Sequence, residues 1–154
     1  MRAGSMDSLF FKRTIIVLVG GVLSSSPGLA QTMNRAAHVA ILQGPVLEFA
    51  RDDLAIVRWT INNPGGSDDH FGIVHYGTDP EALSLTAKSP FRLNRDHSET
   101  VVRVRIDGLK PLTTYYYRVI SMGSDDVSDN DKSTIERFTT PAAGKHIVAF
   151  PQPK

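Results

Sequence analysis

The densest run of ionisable side chains is DDVSDNDKSTIE, residues 125–136. A helix-loop-helix calcium loop needs oxygen ligands at positions one, three, five and seven, glycine at six and glutamate at twelve. Asp125, Asp129, Asp131 and Glu136 fall at one, five, seven and twelve, but Val127 and Asn130 break the pattern at three and six. The run therefore reads as a solvated, turn-rich loop rather than a calcium site. Ser67-Asp68-Asp69-His70, beside the flexible Gly65-Gly66, offers two carboxylates and an imidazole. Adjacent loop positions hold a divalent ion weakly at best, and a plain polar loop is the simpler reading. Arg103 and Arg105 alternate with Val102, Val104 and Ile106, and Arg58 precedes Trp59 in a similar alternation. Three guanidinium groups on one sheet face can hold a phosphate or an acidic polymer. More often such a face is a solvated ladder paired with nearby carboxylates. Tyr115, Tyr116 and Tyr117 stand in a row. Strand alternation puts Tyr115 and Tyr117 on one face, and Tyr116 and Arg118 on the other. Tyr116 is then either a cross-strand packing residue or part of an exposed ligand platform.

Other chemistries are excluded more firmly. There is no cysteine, so disulfides, thiolate metal sites, a cysteine nucleophile and a lipid-carrying cysteine are all ruled out. No Gly-x-Ser-x-Gly elbow frames a serine, and no glycine-rich phosphate loop occurs outside the N-terminal apolar run. Neither an Arg-Gly-Asp tripeptide nor an Asn-x-Ser/Thr sequon is present. A formal charge of +1 implies no bulk attraction to nucleic acid. The residues predict a protein with no enzymatic site and no cofactor.

The first thirty residues read as a targeting segment. Lys12 and Arg13 precede the apolar run TIIVLVGGVL, residues 14–23, and Gly28-Leu29-Ala30 supplies small residues at a cleavage position. This is the pattern of a secretory signal, with Met6 as an alternative start. Ten apolar residues fall short of the roughly 20 needed to span a bilayer. Removal of residues 1–30 takes away Arg2, Lys12, Arg13 and Asp7, and leaves 14 basic and 15 acidic residues. The expected location is secreted or periplasmic, without a membrane span after cleavage.

Beyond a flexible lead-in at residues 31–40, the pattern is β throughout. Strands are expected at 42–50, broken at Gly44-Pro45 because proline cannot donate to a ladder; at 54–61, with Ala55, Val57, Trp59 and Ile61 on one face; and at 71–77. A turn and a short irregular edge at 78–84 follow, then strands at 99–109, 113–122 and 134–140. Loop signals such as NNPGGSDD separate them. Seven short antiparallel strands in about 100 residues argue for a two-sheet sandwich.

The segments WTI, VHYGT, VRIDGLKPLTTYYYRV and RFTTP resemble the fibronectin type III fold, an immunoglobulin-like β-sandwich. More narrowly, they resemble the fibronectin-type domain that precedes the catalytic domain of purple acid phosphatases. The resemblance covers residues 41–141. It implies that Leu109, Pro111, Thr113 and Tyr115 form a tyrosine corner, that Trp59 is the buried tryptophan of the second strand, and that Tyr76 closes the third. Tyr117 is then core. The family's dinuclear metal centre sits on a separate domain, whose Gly-Asp-x-x-Tyr, Gly-Asn-His and Gly-His-x-His segments are absent here. The apolar run from His146 to Phe150 stands where that domain's first strand would begin, but Pro151-Gln152 replaces the expected Gly-Asp. The run is either a remnant of that strand or a cap on the sandwich, in a tail of residues 142–154. Two functions follow as expectations: an exported, non-catalytic module binding a protein or polysaccharide, or the accessory domain of a phosphatase-like enzyme, truncated in this chain.

Overall fold

The computed structural model describes residues 36–123 and 132–148, and every regular element among them is a strand. These are β1 (Ile41–Arg51), β2 (Leu54–Asn62), β3 (Asp69–Gly77), β4 (Leu85–Arg92), β5 (Glu99–Asp107), β6 (Thr114–Gly123), β7 (Glu136–Thr139) and β8 (His146–Val148). They form two four-stranded sheets, ordered β5-β2-β1-β8 and β4-β3-β6-β7, with every pairing antiparallel. The architecture is the expected two-sheet sandwich, with eight strands where seven were predicted.

The core follows from alternation. In β2 the inward residues Ala55, Val57, Trp59 and Ile61 are buried, and they pair with Ile106, Val104, Val102 and Thr100 of β5. From the second sheet, Val74, Tyr115, Tyr117, Val119 and Phe138 close the same space. Burying such side chains contributes about 1.5–3 kcal/mol each, which lets the fold stand without disulfides. Trp59 joins the sheets: its indole Nε1 donates to Ser121 Oγ of β6 at 2.8 Å. The ring end lies over Gly72 of β3, where an added Cβ would stand 3.0 Å from Trp59 Cη2 and 2.7 Å from Val102 Cγ1. Only the missing side chain at Gly72 leaves room for the tryptophan.

The structure differs from expectation at the fourth strand. The fourth strand is not the 78–84 segment but Leu85–Arg92, paired along its length with β3. Its residues are mostly exposed and it contains Pro90, which an edge strand tolerates. The tail forms β8, which pairs with Phe49–Arg51 of β1. In the described part of the lead-in Val39 is buried, and Asn62 holds this stretch by accepting from Ala40 N at 2.8 Å and donating to His38 O at 3.0 Å. Of the three register shifts in the β1–β2 pairing, the one between Gln43 and Val46 falls where proline placed it. The signal segment, the acidic residues Asp125, Asp129 and Asp131, and Pro151-Gln152 lie outside the described residues. No helix among the described residues is long and apolar enough to cross a membrane.

Candidate functional site

The tyrosine corner is built as a closed unit. Tyr115 is buried on β6, and its hydroxyl accepts from Lys110 N at 3.0 Å. Leu109 N donates to Asp53 O at 2.9 Å, tying the corner to the β1–β2 turn. Thr113 Oγ1 donates to Pro111 O at 2.9 Å. Thr140, fully buried just after β7, accepts from Thr113 N at 3.0 Å and donates to Lys110 O at 2.5 Å. Tyr115 meets Tyr76 edge-on at 6.2 Å and stacks on Phe138 at 5.8 Å, while Tyr117 meets Phe138 edge-on at 5.7 Å. Burial pushes the Tyr117 phenol well above its ordinary range, with Glu136 adding to it. Burial, Tyr115 and Asp107, in that order, raise Tyr76. Both shifts favour the protonated phenol, the opposite of what activates a tyrosine as a nucleophile.

The three arginines of the first sheet share its outer face and are engaged by carboxylates. Arg103 Nε donates to both Glu48 oxygens at 2.9 and 3.0 Å, and Arg58 Nε lies 3.5 Å from the same carboxylate. Arg105 Nε donates to Asp107 Oδ1 at 2.7 Å. Glu48 reaches both arginines because β1 pairs with β2, and β2 with β5. The Ser67–His70 group is not brought together. His70 turns inward and is buried beside Phe91, whereas Asp68 is held by Arg95 and Asp69 lies 3.3 Å from Arg92. Among the described residues no three His, Asp or Glu side chains converge as metal ligands.

Polar groups converge on an open groove of about 740 Å³ on the outer face of β2 and β5, beside the β4–β5 loop. Gln43, Thr60, Arg58, Arg92, His97 and Glu99 are among its lining residues. Its wall is braced. Asn63 Nδ2 donates to Asn94 O at 2.6 Å and His97 O at 2.7 Å, and its Oδ1 accepts from the Thr100 hydroxyl. Arg95 reaches across to Asp68, to Pro64 O and to Gly66 O. One asparagine and one arginine thus lock loop 93–98 onto loop 63–68. Binding residues on loops work best when a rigid scaffold positions them. Sequence reasoning missed Asn63, Arg95 and the groove. Their partners lie about 30 residues away along the chain, so no local pattern marks them.

A model of the purple acid phosphatase N-terminal domain matches residues 43–140. The chain belongs to that family. This purple acid phosphatase N-terminal domain has the fibronectin type III-like fold, and the match covers β1 to β7 together with the corner and the groove. No curated protein matches the chain. Among solved structures it is similar to the sensor domain of the anti-sigma factor RsgI4 in Pseudobacteroides cellulosolvens, at 19% identity over 77% of this chain and 87% of that one, with a TM-score of 0.48. It is also similar to the third fibronectin III domain of human KIAA0343 protein, at 16% identity over 79% of this chain and 95% of that one, with a TM-score of 0.39.

Proposed function

We propose that this domain is an exported, non-catalytic interaction module that holds a protein or polysaccharide through its braced polar groove. The carrying observation is the lock of Asn63 and Arg95 on both loops beside that groove. An amide, a hydroxyl, two guanidinium groups, an imidazole and a carboxylate line one concave surface. They supply donors and acceptors for a polar ligand, and pre-organised loops lower the ordering cost of binding. No side chain there is set against a base as a nucleophile would need. Export rests on the basic, apolar and small-residue order of residues 1–30, with a secreted or periplasmic location. The module spans residues 41–141, preceded by the lead-in at 31–40 and followed by the tail at 142–154.

The test is retention of the chain on native envelope material. Specific retention on a protein or on insoluble polysaccharide supports the reading and names the ligand class; free passage sinks it. Family membership favours a second reading, in which the domain is the accessory part of a purple-acid-phosphatase-like metallophosphatase. Co-purification with a metallophosphatase, or Gly-Asp-x-x-Tyr and Gly-Asn-His motifs in an adjoining reading frame, would favour that one.

A further inference from the structure

The two outer faces of the sandwich treat their cations oppositely. On the first sheet Arg58, Arg103 and Arg105 all lie against carboxylates. On the second sheet, residues paired across strands share a face. The register then puts His75, Lys88, Arg118, Lys132 and Arg137 on the outer side, with Phe71, Tyr116 and Met122 among them. Arg92 at one end lies against both Asp69 and Asp68. Among the described residues, Lys88, Arg118, Lys132 and Arg137 form no ion pair. Lys88 instead sits 3.9 Å over the Phe71 ring. Glu81 lines a cavity of about 250 Å³ together with Arg118 but does not pair with it. The crowding is felt at His75: burial first, then Arg118 and Lys132, push its imidazole below its ordinary value. Arg118 Nε is buried and has no hydrogen-bond partner. A buried donor left unpaired is destabilising, and natural sequences keep such groups where function needs them.

We propose that this face docks an acidic, partly apolar segment of a partner protein, with Arg118 at its centre. Interface cores favour aromatic residues, methionine and arginine, and Tyr116, Phe71, Met122 and Arg118 supply that set. Lys88 on β4, Arg118 on β6 and Arg137 on β7 are each displaced by two residues in register; with strands about 4.8 Å apart and alternate residues about 7 Å, they form a diagonal row with steps of roughly 8–12 Å that carboxylates of an extended peptide can follow. A polysaccharide would offer charge without side chains to fill the apolar positions. The proposal uses a different face from the groove and does not depend on it.

The test is titration of the full chain with a twelve-residue peptide of alternating Glu and Leu, against its Gln/Leu counterpart and an oligogalacturonate. The Glu peptide should bind and weaken with salt, and the Gln peptide should not. Arg118→Gln with Arg137→Gln should weaken binding at least tenfold, while Arg103→Gln with Arg105→Gln on the opposite face should leave it unchanged. Arg118→Gln alone should keep or raise the melting temperature, which a purely structural arginine would not allow. Equal binding of the two peptides, no binding by either, equal loss from the opposite face, or preference for the oligogalacturonate would each overturn the proposal.

Discussion

Gly72→Ala tests the packing that holds the sandwich together. The added methyl would stand 2.7 Å from Val102 Cγ1, 2.9 Å from Val104 Cγ2 and 3.0 Å from Trp59 Cη2. All three neighbours are fully buried on the opposite sheet, so none can swing into solvent. Overpacking of this kind costs about 1–3 kcal/mol. The backbone at Gly72 is not left-handed, so alanine also narrows the unfolded ensemble and returns about 0.4–1 kcal/mol. The overlap wins, and the expected net loss is about 1–2 kcal/mol. For a domain of this size each kcal/mol lowers the melting temperature by about 4–8 °C. Urea unfolding should show a lower midpoint with an unchanged slope. Val102→Ala opens the tightest contact, so the double variant should lose less than the sum of the singles. A neutral Gly72→Ala, or strict additivity with Val102→Ala, would refute the claim that the tryptophan fills the space glycine leaves.

Tyr115→Phe keeps the ring but strands Lys110 N–H, so urea unfolding should show a loss of about 1–3 kcal/mol. Trp59→Ala removes the largest core side chain and its bond to Ser121, and should cost about 3–5 kcal/mol or abolish cooperative unfolding by circular dichroism. Because the His75 imidazole is depressed in the fold, the unfolded chain takes up the proton first; stability is full above about pH 6.5 and falls as pH drops below it. His75→Asn should flatten that acid limb in melts between pH 7 and 5. Tyr117 is raised in the fold, so stability should hold up to about pH 10 and be lost above it as the unfolded phenol ionises; Tyr117→Phe should soften the alkaline limb.

Much of the sandwich was legible because its signals are local. The strict alternation of Val102, Arg103, Val104, Arg105 and Ile106 declares a strand with one buried face. Leu109, Pro111, Thr113 and Tyr115 carry the corner within seven residues. β4 was hidden because it is an edge strand that buries little: Lys88 and Pro90 stand where a central strand would show apolar residues, and only Ala87 and Phe91 reach the core cluster. The apolar run that forms β8 was visible, but its pairing was not, because three residues find a partner only where the end of β1 lies. The pairing of the arginine ladder with carboxylates was expected in kind, but its partner was not legible, because nothing in sequence brings Glu48 near Arg103, 55 positions away. The partners of Asn63 and Arg95 are mostly backbone carbonyls, and a carbonyl has no residue type to recognise. Thr140 was visible only as part of a motif, and the bonds of its hydroxyl to Thr113 N and Lys110 O at the corner needed the structure.

The most direct test of the interaction-module account compares retention on native envelope material for the chain and for an Arg92→Ala, His97→Ala variant, both carried from residue 31 and both confirmed as folded by their melts. Both side chains line the groove; His97 joins the Asn63–Arg95 brace only through its backbone carbonyl, and the Arg92 side chain meets it only at Asp68, 3.8 Å away. The account predicts that the unaltered chain is retained and the variant passes through. Equal retention of the two would contradict it, and would move the binding surface away from the groove.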